Sequence, residues 1–148
     1  MQTVIREHQA RQMFLKLCWH FLEHPYRWGG DDPVLGFDCS GLVCELLRSV
    51  GKLNLHERLS SQMIYERFHI VCQPIPQDEI EPGDLLFWAS NRDERRIYHI
   101  AACIEPGYMI EAGGGNAETD TPEEAAARNA FVRIRPLRDC FAVLRIFS

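Results

Sequence analysis

The stretch Gly36-Phe37-Asp38-Cys39-Ser40-Gly41 directly precedes an apolar stripe with helical spacing. The stripe consists of Leu42, Val43, Leu46, Leu47 and Val50. Asp38 is a suitable N-cap and Gly51 a suitable residue to follow the C-terminus, so the pattern predicts a helix over residues 39–51. Cys39 would lie in its first turn, where unpaired N–H groups and the helix dipole favour a thiolate and could hold an oxyanion. Gly41 would leave room there for an approaching backbone.

A thiolate nucleophile needs a base, and His99 stands at the start of a predicted strand. Glu111 follows twelve residues later, across a predicted hairpin. If Glu105-Pro106-Gly107 forms a three-residue loop, His99 pairs with position 113 and Glu111 lies diagonal to it on the same face, within reach of two long side chains. A two-residue loop would put Glu111 on the opposite face. On the same face, Glu111 could accept the Nδ1–H of His99 and leave Nε2 to face the thiol.

Further helices are predicted on both sides of the cysteine helix. Apolar residues at helical spacing predict one over residues 3–23. A shorter one should begin after Ser60 or Ser61. The capping box Thr121-Pro122-Glu123-Glu124 predicts a short helix over residues 122–129.

Strand patterns dominate the second half of the chain. The predicted strands cover residues 85–89, 97–104, 108–112, 131–135 and 141–147. Polar or glycine-rich loops are expected over residues 25–38 and 91–96. Because helices come first and an antiparallel sheet second, the pattern is typical of an α+β fold.

Length and composition exclude several classes of protein. The 148 residues suffice for one domain, so residues 1–148 are predicted to form a single unit. A net charge of −5 without a Lys/Arg cluster argues against nucleic-acid binding. No apolar stretch is long enough for a bilayer, and the N-terminus is charged where a secretory signal would be apolar. We expect cytoplasmic synthesis without a signal peptide and no membrane partner; the oligomeric state stays open.

These motifs resemble those of the NlpC family of papain-like cysteine peptidases, which cut cell-wall peptides. The similarity covers the chain from about Phe14 to Phe147 and follows the order of the family's marks. Those marks are Pro25-Tyr26-Arg27-Trp28-Gly29-Gly30, then Gly36-Phe37-Asp38-Cys39-Ser40-Gly41-Leu42-Val43, then Pro82-Gly83-Asp84-Leu85-Leu86-Phe87-Trp88, and a histidine followed at +12 by a third polar residue.

The resemblance implies a papain-like α+β fold with N-terminal helices on a five- or six-stranded antiparallel sheet. It implies hydrolysis of a γ-D-glutamyl bond to a diamino acid in peptidoglycan stem peptides, without a metal or other cofactor. Cys39 would be the nucleophile, His99 the base and Glu111 the third member of the triad. The family most often has histidine at this third position, and a carboxylate can also orient an imidazole.

The resemblance also implies which side chains contact the substrate. Tyr26 would line the cleft and assist at the oxyanion, although a core position is an alternative for this residue. Trp28 is expected to be a core aromatic residue. Asp38 and Ser40 would hold the polar end of the peptide, and Asp38 would also cap the helix.

Two other interpretations remain for the function. His20-Phe21-Leu22-Glu23-His24 matches the inverted zinc-peptidase pattern H-x-x-E-H, but Pro25 follows where a rigid helix would be needed. The domain could also be an inactive binder of stem peptides. An active enzyme without a signal peptide would need delivery to the wall, for example by a phage tail, a holin or a secretion system.

Overall fold

The computed structural model describes residues 2–91 and 96–148, and within them the chain forms four α-helices and eight strands. The helices are α1 (Gln2–His20), α2 (Cys39–Ser49), α3 (Ser61–Phe68) and α4 (Pro122–Arg128), with a short 3-10 helix at Gln77–Glu79. The strands are β1 (Asp31–Asp32), β2 (Gly36–Phe37), β3 (Gln73–Pro74), β4 (Leu85–Ala89), β5 (Ile97–Glu105), β6 (Tyr108–Gly113), β7 (Phe131–Pro136) and β8 (Ala142–Arg145). In those same ranges no helix has the length and apolar character needed to cross a membrane.

Six strands form one antiparallel sheet in the order β3-β8-β4-β5-β6-β7, and β1 pairs with β2 in a separate ribbon. The α2 and α3 helices both pack against β5 in the middle of the sheet. One large apolar cluster contains buried residues from all four helices and from the central strands. The predicted α+β fold, with N-terminal helices on an antiparallel sheet, is confirmed, and the sheet has six strands.

The cysteine helix is an amphipathic element with caps at both ends. Its apolar stripe from Leu42 to Leu47 is buried in the main cluster. Asp38 caps the N-terminus, as predicted, by accepting a hydrogen bond from Gly41 N. The helix ends at Ser49, two residues before the predicted end, and Gly51 follows with a φ of 77°. That left-handed conformation costs glycine little, which explains the stop.

The β5–β6 hairpin combines features of both loop alternatives. Glu105 pairs with Tyr108, so the loop has two residues rather than three. A bulge between Cys103 and Glu105 then shifts the register, because Cys103 pairs with Met109. The extra residue has the same effect on register as a longer loop would have. Continued along the strands, this register puts His99 opposite Gly113, as in the three-residue alternative.

The predicted boundaries differ from the structure mainly in short elements. The expected loop over 25–38 contains the β1–β2 ribbon, whose strands have only two residues each and no apolar alternation. The first helix ends at His20 instead of residue 23, and Glu23 has a φ of 71°. The predicted loop over 91–96 lies almost entirely outside the described residues.

Candidate active site

Cys39 is the first residue of α2, and the side chain of Asp38 holds this helix start in place. Asp38 Oδ1 accepts hydrogen bonds from Gly41 N at 2.7 Å and from the Ser40 hydroxyl at 3.2 Å. Asp38 Oδ2 accepts one from Gly29 N at 3.0 Å. The first N–H groups of a helix have no intrahelical acceptor, so Cys39 and Ser40 bring backbone donors to the cleft that they line.

Gly41 serves packing of the backbone rather than access for a substrate. A Cβ atom on Gly41 would lie 1.7 Å from the carbonyl oxygen of Gly30, so the residue must be glycine for this turn to approach the helix. The expectation that Gly41 leaves room for an approaching substrate is therefore wrong. The Gly29-Gly30 turn occupies that space and donates to the N-cap of α2.

Arg58 completes the support of the turn that holds Cys39, and no sequence pattern pointed to it. Its Nη2 donates to Asp38 Oδ1 at 2.7 Å and its Nη1 to the Ser40 hydroxyl oxygen at 3.0 Å. A hydrogen bond from Nη1 to Leu59 O fixes the guanidinium. Arg58 lies in the loop before α3, twenty residues from Asp38, and no local pattern links the two positions. Because Asp38 and Ser40 already have these internal partners, their predicted contact with substrate stays a prediction.

His99 and Glu111 lie together on the sheet in the way the predicted register requires. His99 Nε2 is 3.5 Å from Glu111 Oε2, an ion-pair distance longer than a normal hydrogen bond. The imidazole also interacts with the Cys39 thiol. Since Nε2 faces the carboxylate, Nδ1 is left for Cys39. The expected ring orientation, with Nδ1 on Glu111 and Nε2 on the thiol, is therefore wrong.

Glu111 is a buried carboxylate surrounded by positive groups. Its exposed fraction is 3%, so it is not an ordinary exposed strand glutamate. Besides His99, Arg133 Nη2 lies 3.7 Å from Oε2 and Arg138 Nη2 lies 3.9 Å from Oε1. Burial alone would raise the pKa of Glu111, but these three groups outweigh it and lower the pKa below its ordinary value. Glu111 is thus ionised at neutral pH.

The same surroundings favour the protonated form of His99. Burial acts to lower the pKa of the imidazole, but the interactions with Cys39 and Glu111 outweigh it and raise the pKa to about 9. An imidazolium beside Cys39 stabilises a thiolate, and Glu111 in turn stabilises the imidazolium. The arrangement can therefore hold a thiolate–imidazolium pair.

Aromatic side chains form the walls of a cleft of about 540 Å³ around this pair. Tyr26 lines it as predicted and is nearly buried, and burial, together with the nearby Asp38 and Cys39, raises the pKa of its phenol, so the hydroxyl stays a donor. A Cβ atom on Gly115 would lie 2.1 Å from the Tyr26 ring, which explains the glycine. Trp28 also lines the cleft with 55% of its surface exposed, so the expectation that it is a core residue is wrong.

The family of the chain follows from comparison with known sequences. The profile of the NlpC/P60 family matches residues 23–136, which include the cysteine motif, His99 and Glu111. The chain belongs to the NlpC/P60 family.

Curated relatives within this family are longer proteins. Murein DD-endopeptidase MepH of Escherichia coli is 41% identical over 88 residues, which are 60% of this chain and 31% of the relative. A γ-D-glutamyl-L-lysine dipeptidyl-peptidase of Bacillus subtilis is 29% identical over 92 residues, which are 62% of this chain and 28% of the relative. The match thus spans about a third or less of the length of either relative.

Solved structures share the NlpC/P60 fold over almost the whole chain. The P60 domain of antigen MAP1204 from M. avium subspecies paratuberculosis superposes with a TM-score of 0.65 at 26% identity, covering 96% of this chain and 98% of that domain. RipD from Mycobacterium tuberculosis superposes with a TM-score of 0.65 at 20% identity, covering 93% and 97%. RipD is described as a non-catalytic domain adapted to binding peptidoglycan.

The zinc pattern His20-Phe21-Leu22-Glu23-His24 does not form the site that its spacing suggested. The α1 helix ends at His20, and the chain turns at Glu23, so His20 and His24 do not share a helix face. Their rings lie 6.1 Å apart and contact the core aromatic residue Phe21. Across residues 2–91 and 96–148, no group of three or more His, Cys, Asp or Glu side chains is arranged to hold a metal ion.

Trp88 is a further residue of the NlpC/P60 site that the sequence analysis did not assign to it. It pairs with His99 across β4 and β5, and the two rings lie 5.2 Å apart. Its Nε1 donates to Asp139 O at 2.8 Å, and Arg138 lies over its ring at 4.6 Å. Trp88 therefore supports the imidazole on one side and the arginine on the other.

Proposed function

We propose that this NlpC/P60 domain is a cysteine peptidase that hydrolyses peptide bonds in peptidoglycan stem peptides. The observation that carries the proposal is the convergence of Cys39, His99 and Glu111 in one cleft. The thiol stands at a helix N-terminus, the imidazole contacts it, and a buried carboxylate contacts the imidazole. That is the geometry of a nucleophile, a base and an orienting group.

The reaction would run through a thioester. The Cys39 thiolate attacks the scissile carbonyl, and the N–H groups at the start of α2, with the Tyr26 hydroxyl, stabilise the oxyanion. His99, protonated by the thiol, donates its proton to the leaving amine as the C–N bond breaks. His99 then takes a proton from water, whose oxygen attacks the thioester and releases Cys39. Glu111 keeps the imidazole oriented and balances its charge in both steps.

For the bond that is cut, we propose the γ-D-glutamyl bond to the diamino acid. One relative is named for such a γ-D-glutamyl-L-lysine activity and another is named a DD-endopeptidase, so the names do not agree on the bond. The resemblance of the motifs favours the γ-D-glutamyl bond. Mass spectrometry of the fragments released from purified peptidoglycan identifies it, because each bond leaves different termini on the products.

The central test replaces the nucleophile. Cys39→Ala should abolish hydrolysis of stem peptides and leave the unfolding temperature nearly unchanged, because the side chain is half-buried at a helix start. Cys72→Ala is the matched control, since Cys72 is also half-buried but does not line the cleft, and it should keep wild-type turnover. Hydrolysis by Cys39→Ala at the wild-type rate would overturn the proposal.

Binding without catalysis is the competing function, as in RipD. The retained Cys39–His99 pair favours an enzyme, because a binding module has no use for a reactive thiol. An electrophilic peptide carrying the stem sequence separates the two functions. The enzyme should be alkylated at Cys39 faster than at the other five cysteines, whereas a binder should show no such preference.

The route to the wall belongs to the same proposal. Delivery by a phage tail, a holin or a secretion system would bring the domain to its substrate. Neither a nucleic acid nor a membrane is needed as a partner in this scheme.

A further inference from the structure

Two arginines beside the catalytic pair have donors that the fold does not use. Arg133 on β7 pairs directly with Glu111 on β6, and Arg138 follows two residues after the end of β7. Both line the cleft that contains Cys39 and His99. His99 and Arg133 both approach Oε2 of Glu111, so only this carboxylate separates the guanidinium of Arg133 from the imidazole.

The distances from these arginines to Glu111 are too long for hydrogen bonds. They are 3.7 and 3.9 Å, and neither guanidinium donates a hydrogen bond to any residue that the structure describes. The Nε atom of Arg133 is buried without a partner. By contrast, Arg48, Arg58 and Arg145 donate at 2.7 to 2.9 Å to carbonyl or carboxylate oxygens. A partly buried guanidinium without an acceptor is costly unless a ligand supplies one.

Arg138 is held in position although half of its side chain is exposed. Its guanidinium lies over the Trp88 ring at 4.6 Å, and Trp88 is itself fixed by the hydrogen bond to Asp139 O. Such a cation–π contact orients the flat guanidinium without using its N–H donors. The donors therefore remain for a partner that enters the cleft.

The charges of the described residues leave an excess of positive charge in the cleft. Asp38 is neutralised by Arg58 at 2.7 Å, and a thiolate–imidazolium pair is neutral as a whole. Glu111 then faces two guanidinium groups, Arg133 and Arg138. The cleft thus carries one uncompensated positive charge although the whole chain carries a net charge of −5.

We propose that Arg133 and Arg138 form a subsite that binds a free carboxylate of the substrate next to the scissile bond. The proposal rests on the proposed function and narrows its substrate class to acidic stem peptides. In a γ-glutamyl bond the α-carboxylate is free and is joined to the scissile carbonyl by a short aliphatic chain. Guanidinium groups recognise carboxylates through paired, charge-assisted hydrogen bonds. Amidation of that carboxylate would remove the charge that the two arginines recognise.

The test uses two synthetic stem peptides that differ only in carrying D-glutamate α-carboxylate or its amide. The wild-type protein should cleave the acid with a kcat/KM roughly 10- to 100-fold above that of the amide, which is the usual effect of a charged hydrogen bond. Arg138→Gln should lose most of this preference through a higher KM for the acid, with little change for the amide. Arg138 carries the test because it is half-exposed and approaches the Glu111 oxygen that His99 does not use, whereas Arg133 shares Oε2 with His99.

Arg135→Gln is the matched control. Arg135 lies on the same strand two residues from Arg133, is exposed and does not line the cleft, so its variant should keep the full preference. Equal cleavage of both peptides by the wild type would overturn the subsite, as would an equal loss on both peptides in Arg138→Gln. Each of these results would leave the proposed function standing.

Calorimetry with Cys39→Ala separates the subsite from catalysis. This variant should bind the acid more tightly than the amide by a similar factor, and Cys39→Ala/Arg138→Gln should bind both equally. If the wild type cleaves neither peptide, the proposed function fails, and the calorimetric preference still decides on the subsite. Equal binding of the two peptides, or no binding, would refute it.

Discussion

At the scale of single residues, Glu111 links three positive groups that would otherwise repel one another. His99, Arg133 and Arg138 all approach its two oxygens. A buried carboxylate is tolerated here because these charges offset the loss of hydration. Removing Glu111 would therefore do more than free the imidazole, since it would expose His99 to two uncompensated guanidinium charges.

The first prediction concerns the rate and the pH profile of Glu111 variants. Glu111→Ala should lower kcat/KM on the order of 10²-fold or more, and Glu111→Gln less, because the amide keeps part of the orientation. The imidazolium loses its carboxylate and faces Arg133 and Arg138 directly. In the plot of kcat/KM against pH, the basic limb should therefore move to lower pH and the acid limb to higher pH, so the bell-shaped curve becomes narrower from both sides.

Steady-state kinetics between pH 5 and pH 10 checks this, with Glu105→Gln as a control for the loss of one negative charge. Glu105 is exposed at the end of β5 and does not line the cleft, so its profile should match the wild type. A near-normal rate with an unmoved profile in Glu111→Ala would make Glu111 a bystander.

At the scale of secondary-structure elements, the start of α2 depends on one side chain with several partners. Asp38 caps the helix, receives the Gly29 N–H and pairs with Arg58. The hydroxyl of Thr121 caps α4 in the same way, by accepting a hydrogen bond from Glu124 N, but Thr121 does not line the cleft. Loss of the Asp38 cap should therefore affect both the helix and the cleft, whereas loss of the Thr121 cap should affect only its helix.

The second prediction compares these caps. Thr121→Ala should lower the free energy of unfolding by about 1 kcal/mol, the usual cost of a lost N-cap, and Asp38→Ala should lower it by more, because it also loses the contacts with Gly29 and Arg58. Only Asp38→Ala should also lower kcat, on the order of 10- to 100-fold, because the nucleophile and its oxyanion donors lose their fixed geometry. Denaturant unfolding and single-turnover kinetics measure the two effects. An unchanged kcat in Asp38→Ala would show that the cap has no role in catalysis.

The third prediction follows from the end of α1. Since the helix stops at His20 and the chain turns at Glu23, His24 cannot join His20 on a helical zinc-binding face. Treatment with EDTA should leave the rate of hydrolysis unchanged, whereas iodoacetamide should abolish it by alkylating Cys39. Loss of activity with EDTA and recovery on addition of zinc would contradict this.

At the scale of the whole molecule, Glu111 makes stability depend on pH. Its pKa is lowered below the ordinary 4.5, so the contribution of the carboxylate to stability is complete above that pH and disappears as the pH falls below it. The raised pKa of His99 adds little of this kind, because in a thiolate–imidazolium pair the proton on His99 comes from the Cys39 thiol, so folding takes up no net proton.

The fourth prediction is a fall in the unfolding temperature, on the order of several degrees, as the pH drops below 4.5. Differential scanning calorimetry measures it in the wild type and in Glu111→Gln. The variant should show a shallower fall, because it lacks the carboxylate whose pKa is lowered in the folded protein. Identical slopes in both proteins would refute the coupling.

The local patterns of the sequence were sufficient to predict the elements that carry the candidate site residues. The apolar stripe after Cys39, the Asp38 cap and the capping box at Thr121 each act within a few residues, so their helices begin where the sequence predicted. The sequence motifs were also sufficient to predict that Cys39, His99 and Glu111 lie at one site. These features depend on helix geometry and strand register, which repeat along the chain.

Tertiary structure alone decided how the groups in the cleft meet. The bulge between Cys103 and Glu105 keeps Glu111 on the same face of the sheet as His99, whereas a two-residue loop without a bulge would have put it on the opposite face. The bulge depends on how β5 pairs with β6, which no local pattern shows. Arg58 reaches Asp38 from twenty residues away, and the orientation of the His99 ring depends on what surrounds it in space. The sequence by itself therefore determined the fold and predicted which side chains, Cys39, His99 and Glu111, lie together in the cleft. Their partners and orientation required the packed structure, because side chains distant along the chain supply the charges and contacts.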